Sequence, residues 1–120
     1  MEPKGGFDEA GVMFFYWIDN NIKLGVELGS THIIDNQLWF SQIEITIISI
    51  NKIKCEGRPI KRSVSKSFES LMEGEDGTIL GYDVSKTDLS FCVYWTKYSP
   101  NLSFFRYYEI IGEKIIYAYK

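Results

Sequence analysis

The sequence predicts an α+β domain, mostly antiparallel β: a bent sheet, open barrel or sandwich of about seven to eight strands with one helix near residues 63–74. Three observations lead there. The chain has 120 residues, 45% of them apolar and 24% charged, the size and make-up of a single globular domain spanning 1–120. Most segments between turn residues are β-branched, aromatic or alternate with a period of two. A single segment carries a helical period.

Residues 1–11 are Gly-rich and mixed, and read as a loose N-terminal arm. Val12 to Ile18 is aromatic and β-branched, a strand. Asp19-Asn20-Asn21 supplies turn chemistry, since Asn tolerates positive φ. Ile22, Leu24, Val26 and Leu28 then alternate with Lys23, Gly25 and Glu27, a half-buried strand that forms a hairpin with the first. Gly29-Ser30 and Asp35-Asn36 mark turns around Ile33-Ile34. Leu38 to Ile50 is a longer β-prone stretch with Ile43, Ile45 and Ile47 on one face, continuing or bending into Ile53 to Glu56. Gly57-Arg58-Pro59 ends it.

The helix follows. Val64, Phe68, Leu71 and Met72 fall at i, i+4, i+7 and i+8, with Ser63 or Ser65 as N-cap and Gly74 and Gly77 as the stop. Phe68, Leu71 and Met72 are then expected to be buried against the sheet. Strands at Thr78–Val84, at Leu89–Lys97 with Leu89, Phe91, Val93 and Trp95 on one side, and at Leu102–Ile111 come next, with a turn at Ser99-Pro100-Asn101. Gly112-Glu113 reads as a two-residue type II′ hairpin loop joining the third of these to Lys114–Lys120.

Charge and cysteine content narrow the function. The net charge is −3, which argues against a general nucleic-acid binder, because such a protein needs a basic surplus to displace phosphate counterions. The charge is uneven: −5 over residues 1–51, +5 over 52–66, −5 over 67–88 and +2 thereafter. Alternation of this kind makes patches. Cys55 and Cys92 read as free buried thiols of a reducing compartment. The longest apolar run, Val12 to Ile18, falls well short of the ~18 residues of a membrane span, and no signal-peptide pattern opens the sequence. A cytoplasmic location is expected.

Catalytic and metal motifs are sparse. His32 is the sole histidine and sits among turn residues, so a Ser-His-Asp or Cys-His arrangement has little to build on. Cys55, Cys92 and His32 lack close ligand spacing, and no metal or cofactor is expected. Glycines 74, 77 and 81 are not followed by a phosphate-binding Lys-Ser or Lys-Thr. The Ser-x-x-Lys matches at Ser49 and Ser63 have no companion motifs.

Two features invite a functional reading. Phe14-Phe15-Tyr16-Trp17, and Phe104-Phe105 with Tyr107-Tyr108, place large rings on both faces of a strand. Such rings either fill a core on both sides or form an exposed binding face. On the predicted helix, Arg62, Lys66, Glu69 and Glu73 share one stripe with the basic end first, opposite to what the macrodipole favours. Arg58, Lys61, Arg62 and Lys66 are therefore a candidate anion site at the helix N-terminus. Glu69, Glu73, Glu75 and Asp76 are a candidate acidic patch for a protein partner. In size, acidity and lack of catalytic groups the chain resembles small bacterial immunity or inhibitor proteins, a likeness of type carried by no matched motif. The sequence thus favours a non-enzymatic protein-binding module that neutralises a basic toxin or enzyme by occluding its active site. The alternative is a β-barrel that binds a ligand or single-stranded nucleic acid on its aromatic face. A homodimer through an exposed sheet edge is compatible with either reading.

Overall fold

The structure, a computed structural model, describes residues 7–28, 33–34, 37–38, 42–62 and 67–119. In chain order the strands are β1 (Gly11–Ile18), β2 (Asn21–Glu27), β3 (Ile33–Ile34), β4 (Gln37–Leu38), β5 (Gln42–Ile48) and β6 (Lys52–Cys55). They continue as β7 (Arg58–Pro59), β8 (Phe68–Ser70), β9 (Asp76–Val84), β10 (Asp88–Tyr98), β11 (Asn101–Ile111) and β12 (Lys114–Tyr119). Ten of them form one unclosed antiparallel sheet in the order β12-β5-β2-β1-β9-β10-β11-β6-β7, with β8 also on β1. Strands β3 and β4 pair separately.

The sheet folds over on itself along β1. The first part of β1 meets β9 at Gly11–Thr78, while Tyr16 to Ile18 pair with β8. The fold brings the inner faces of the two halves together. Phe15 of β1 meets Phe91 of β10 and Tyr108 of β11 edge-on, with ring centres 5.6 and 5.1 Å apart. The alternation read from the sequence places the core. Ile22, Leu24 and Val26 of β2 lie beside Ile47, Ile45 and Ile43 of β5, and all six are buried. Leu89, Phe91, Val93 and Trp95 line the other half.

Three expectations are corrected. Among the described residues there is no helix, and the main sheet has ten strands where seven to eight were expected. Residues 63–66 of the predicted helix lie outside the described residues; Phe68–Ser70 is a strand, and the chain from Leu71 to Gly74 runs without regular structure. The free edge of β1 beyond Gly11 offers main-chain partners to this segment, and tertiary pairing overrides a weak local helical pattern. Leu71 is buried and Met72 partly so, but Phe68 is 52% exposed and rests on Tyr16, ring centres 4.9 Å apart. The third correction concerns Gly112. Strands β11 and β12 do not pair; β12 pairs with β5 instead. Gly112 carries the chain between the two halves of the sheet, where a Cβ would stand 2.7 Å from Ile47 Cγ2 and the Ile48 carbonyl oxygen. It is needed for close approach, not for a hairpin turn.

The end of the expected N-terminal arm is docked. Phe7 is fully buried and stacks on Tyr82 with ring centres 3.8 Å apart, while Glu9 and Ala10 exchange main-chain hydrogen bonds with Ile79. Residues 1–6 lie outside the described residues.

Candidate functional site

Strands β9, β10 and β11 carry the site, because each presents large side chains on both faces. Inward, Trp95 is fully buried opposite Gly77, whose missing Cβ leaves room for the indole. Outward, the register aligns Cys92 with Tyr107 and Tyr94 with Phe105. The Tyr94 and Phe105 rings are in contact at 4.8 Å. Leu80 follows the inward Ile79 onto this outer face, and the bulge after it, where Gly81 takes φ +111°, returns Tyr82 to the inner side. Leu80, Tyr98, Phe105 and Tyr107 are all exposed, Phe105 by 58%. Exposed apolar side chains gathered on one face mark interaction sites.

Carboxylates surround the rings. Asp76 accepts a hydrogen bond from the Tyr98 hydroxyl, and Glu75 accepts one from the Tyr98 amide at 2.8 Å. The bond to Asp76 holds the Tyr98 phenol above its ordinary pKa. Glu56 accepts from the Tyr107 amide at 2.6 Å. Asp83 and Glu109 flank Ser90 on either side. On the same face, among the described residues, basic groups enter at the margin, where Lys52 and Lys54 of β6 lie across from Ile111 and Glu109.

The inner side of the same hairpin opens into a cleft of about 690 Å³ between β11 and the 72–75 segment. Glu73 is its centre. It accepts hydrogen bonds from the Tyr108 hydroxyl and from Arg106 Nε at 3.3 Å, and the Cys55 thiol lies 3.9 Å away. Trp95 Nε1 donates to the Tyr108 oxygen at 2.8 Å, which completes a chain from the core to the cleft. Arg106 lies over Phe104, its guanidinium carbon 4.5 Å from the ring centre. Burial, and then the bond to Glu73, raise the Tyr108 pKa, while the indole donor pulls the other way. Burial first, and the Glu73 charge next, push the Cys55 thiol up to about 11. Such a thiol is protonated at neutral pH and is a poor nucleophile.

The Cys55 shift has a consequence for stability. A thiol whose folded pKa is raised contributes stability in full below its unfolded value, near the ordinary 9.0, and loses it as the pH climbs through about 11. Urea unfolding of the wild type and Cys55→Ala at pH about 8 and about 11 should show the gap between them narrowing at the higher pH. An unchanged gap would mean that the thiol is not buried beside Glu73.

The structure scatters the acidic set read from the sequence. Glu73 turns inward to Arg106 and Tyr108, while Glu75 and Asp76 stay at the surface beside Tyr98. Glu69 lies opposite Trp17 on β8, with its Oε2 buried and without a hydrogen-bond partner. The basic set is divided as well. Arg58 and Lys61 are exposed, and Lys66 lies outside the described residues. Arg62 stands over the Trp17 ring at 5.5 Å, its Nε and Nη2 buried and without hydrogen-bond partners. With residues 67–74 non-helical, the helical frame for that anion site is missing from the described part of the segment. His32 lies outside the described residues, and among the described residues no group of His, Cys, Asp and Glu could hold a metal ion.

The doubled rings are thus of both kinds. Phe15, Trp17 and Tyr108 are core, whereas Phe105 and Tyr107 are exposed. Leu80, Tyr94 and Tyr98 were not singled out from the sequence. The available signal was the failure of alternation in 89–98, where Cys92, Tyr94 and Tyr98 occupy positions that a half-solvated strand would give to polar groups. Comparison with protein-family models, curated proteins and solved structures finds no match.

Proposed function

We propose that the chain is a non-enzymatic protein-binding module that grips a basic partner with the outer face of β9–β11. The observation that carries this reading is the cluster of Leu80, Tyr94, Phe105 and Tyr107 with Glu56, Asp76, Asp83 and Glu109 around it. Rigid aromatic anchors supply contact energy, and surrounding carboxylates supply steering and register. A small inhibitor of immunity-protein type, which covers the cleft of a basic toxin or enzyme, uses these ingredients. The same carboxylates oppose the runner-up reading, because phosphates brought to this face would meet like charge.

The test separates charge from fold. Asp83→Lys with Glu109→Lys alters two carboxylates of the face, and the double variant should keep the wild-type melting curve. Capture of basic proteins from the source cell's lysate should fall at low salt, and the difference should shrink near 0.15 M, where the Debye length is about 8 Å. Equal capture by both proteins at low salt would place the binding surface elsewhere.

A further inference from the structure

We propose that the edge of β11 from Asn101 to Phe105 pairs with the same edge of a second copy of the chain, in a two-fold antiparallel contact centred on Ser103. Main-chain direction alternates along β11. Glu56 donates its N–H to the Tyr107 carbonyl, and β6 then covers β11 from Tyr108 to Ile111. Tyr107 therefore points its polar groups away from β10, and by alternation so do Phe105, Ser103 and Asn101. Strand β6 has ended by then, and no described strand pairs with this part of β11 on that side. The Glu56 carboxylate, bonded to the Tyr107 amide, marks where the internal pairing stops.

An exposed strand edge is a template for pairing, and proteins blunt the edges they keep free. Strand β7 is blunted by Arg58 and Pro59, and β12 carries a charge within it, at Lys114. The Asn-Leu-Ser-Phe-Phe run of 101–105 contains neither a charge nor a proline. Leu102 is 51% exposed, and Phe105 and Tyr107 are also exposed, whereas on β12 the exposed large apolar residue is Ile116 alone.

The run also fits itself. Pairing about Ser103 sets Ser103 against its own copy, Asn101 against Phe105, and Leu102 against Phe104. The small residue falls at the axis, and each exposed apolar side chain gains a neighbour on its own face. Asn101 of the second copy then faces Phe105, two residues short of Tyr107, whose amide and carbonyl Glu56 already holds, so the seam is the run from Asn101 to Phe105. The joined sheet sets two copies of the outer aromatic face side by side. The contact needs no other partner and stands independently of the proposed function.

Sedimentation of the purified chain from about 1 to about 500 µM tests it, a range that covers the weak affinities of small interfaces. The expected result is a mass that climbs toward twice the monomer's. Ser103→Lys, which sets like charges directly opposite across the axis, should stay monomeric throughout with an unchanged far-UV spectrum. Ser103→Pro removes the central edge N–H and should act the same way; if it fails to fold, the lysine variant alone decides. Ile116→Lys on β12 should dimerise like the wild type. A wild type that is monomeric at every concentration, a Ser103→Lys chain that still dimerises, or an Ile116→Lys chain that does not, would each overturn the proposal.

Discussion

Replacing Trp95 by alanine is expected to cost the fold about 3–5 kcal/mol, the largest effect of any single truncation considered for this chain. The indole is fully buried, and its neighbour across the β9 ladder is Gly77, whose position has no side chain to move into the space left behind. The cavity would therefore stay open, and cavities that cannot collapse give the high end of the range. The variant also removes the N–H that Tyr108 accepts from at 2.8 Å, at the inner end of the chain of bonds that leads to Glu73. Set against a domain stability of about 5–15 kcal/mol, this loss leaves a marginal protein. Urea unfolding measures it. Phe68→Ala, on a side chain 52% exposed, is the internal reference and should cost no more than about 1 kcal/mol. Equal losses in the two variants would contradict the placement of the core.

The second large effect is on binding. Phe105→Ala with Tyr107→Ala removes two exposed rings from the outer face and leaves the buried half of β11 untouched. Truncation of central aromatic anchors typically costs about 2 kcal/mol or more each. Retention of the basic partner should therefore fall by a factor on the order of 100 or more, while the melting curve stays close to wild type. The rings act at short range, so this loss should persist at high salt, unlike that of the carboxylate variants. A loss that vanished with salt would show that the rings are bystanders and that charge alone holds the partner.

Much of this architecture was legible in the residues. The alternation in 22–28 and 43–47, and that in 89–95, placed the inner face correctly, because a half-buried strand must alternate wherever it lies in the sheet. What failed was pairing over distance. The spacing of Phe68, Leu71 and Met72 is helical, but the fate of the segment was decided by a free edge on β1, some fifty residues earlier in the chain, that local spacing does not reveal. Gly112-Glu113 has hairpin chemistry, yet Ile115, Tyr117 and Tyr119 pair with Ile47, Ile45 and Ile43 and so carry β12 to the other half of the sheet. The candidate site suffered from the same error. A helix would gather Glu69, Glu73, Glu75 and Asp76 on one surface; here Glu69 sits on β8 and Asp76 on β9, and the irregular segment between the two strands turns Glu73 inward. The doubled rings of 104–108 were visible, but which of them faced solvent depended on how the sheet folds at β1.

The most direct test of the outer face is site-specific photo-crosslinking in the source cell. A photoreactive amino acid replaces Leu80, which is exposed on that face and lies on β9, with β10 between it and the β11 edge. A matching protein carries it in place of Phe68, which is exposed on β8 and pairs with β1. A discrete adduct with a basic protein is expected from position 80, weakened by Asp83→Lys with Glu109→Lys, and none from position 68. An adduct with a basic protein from position 68 and none from position 80 would contradict that expectation.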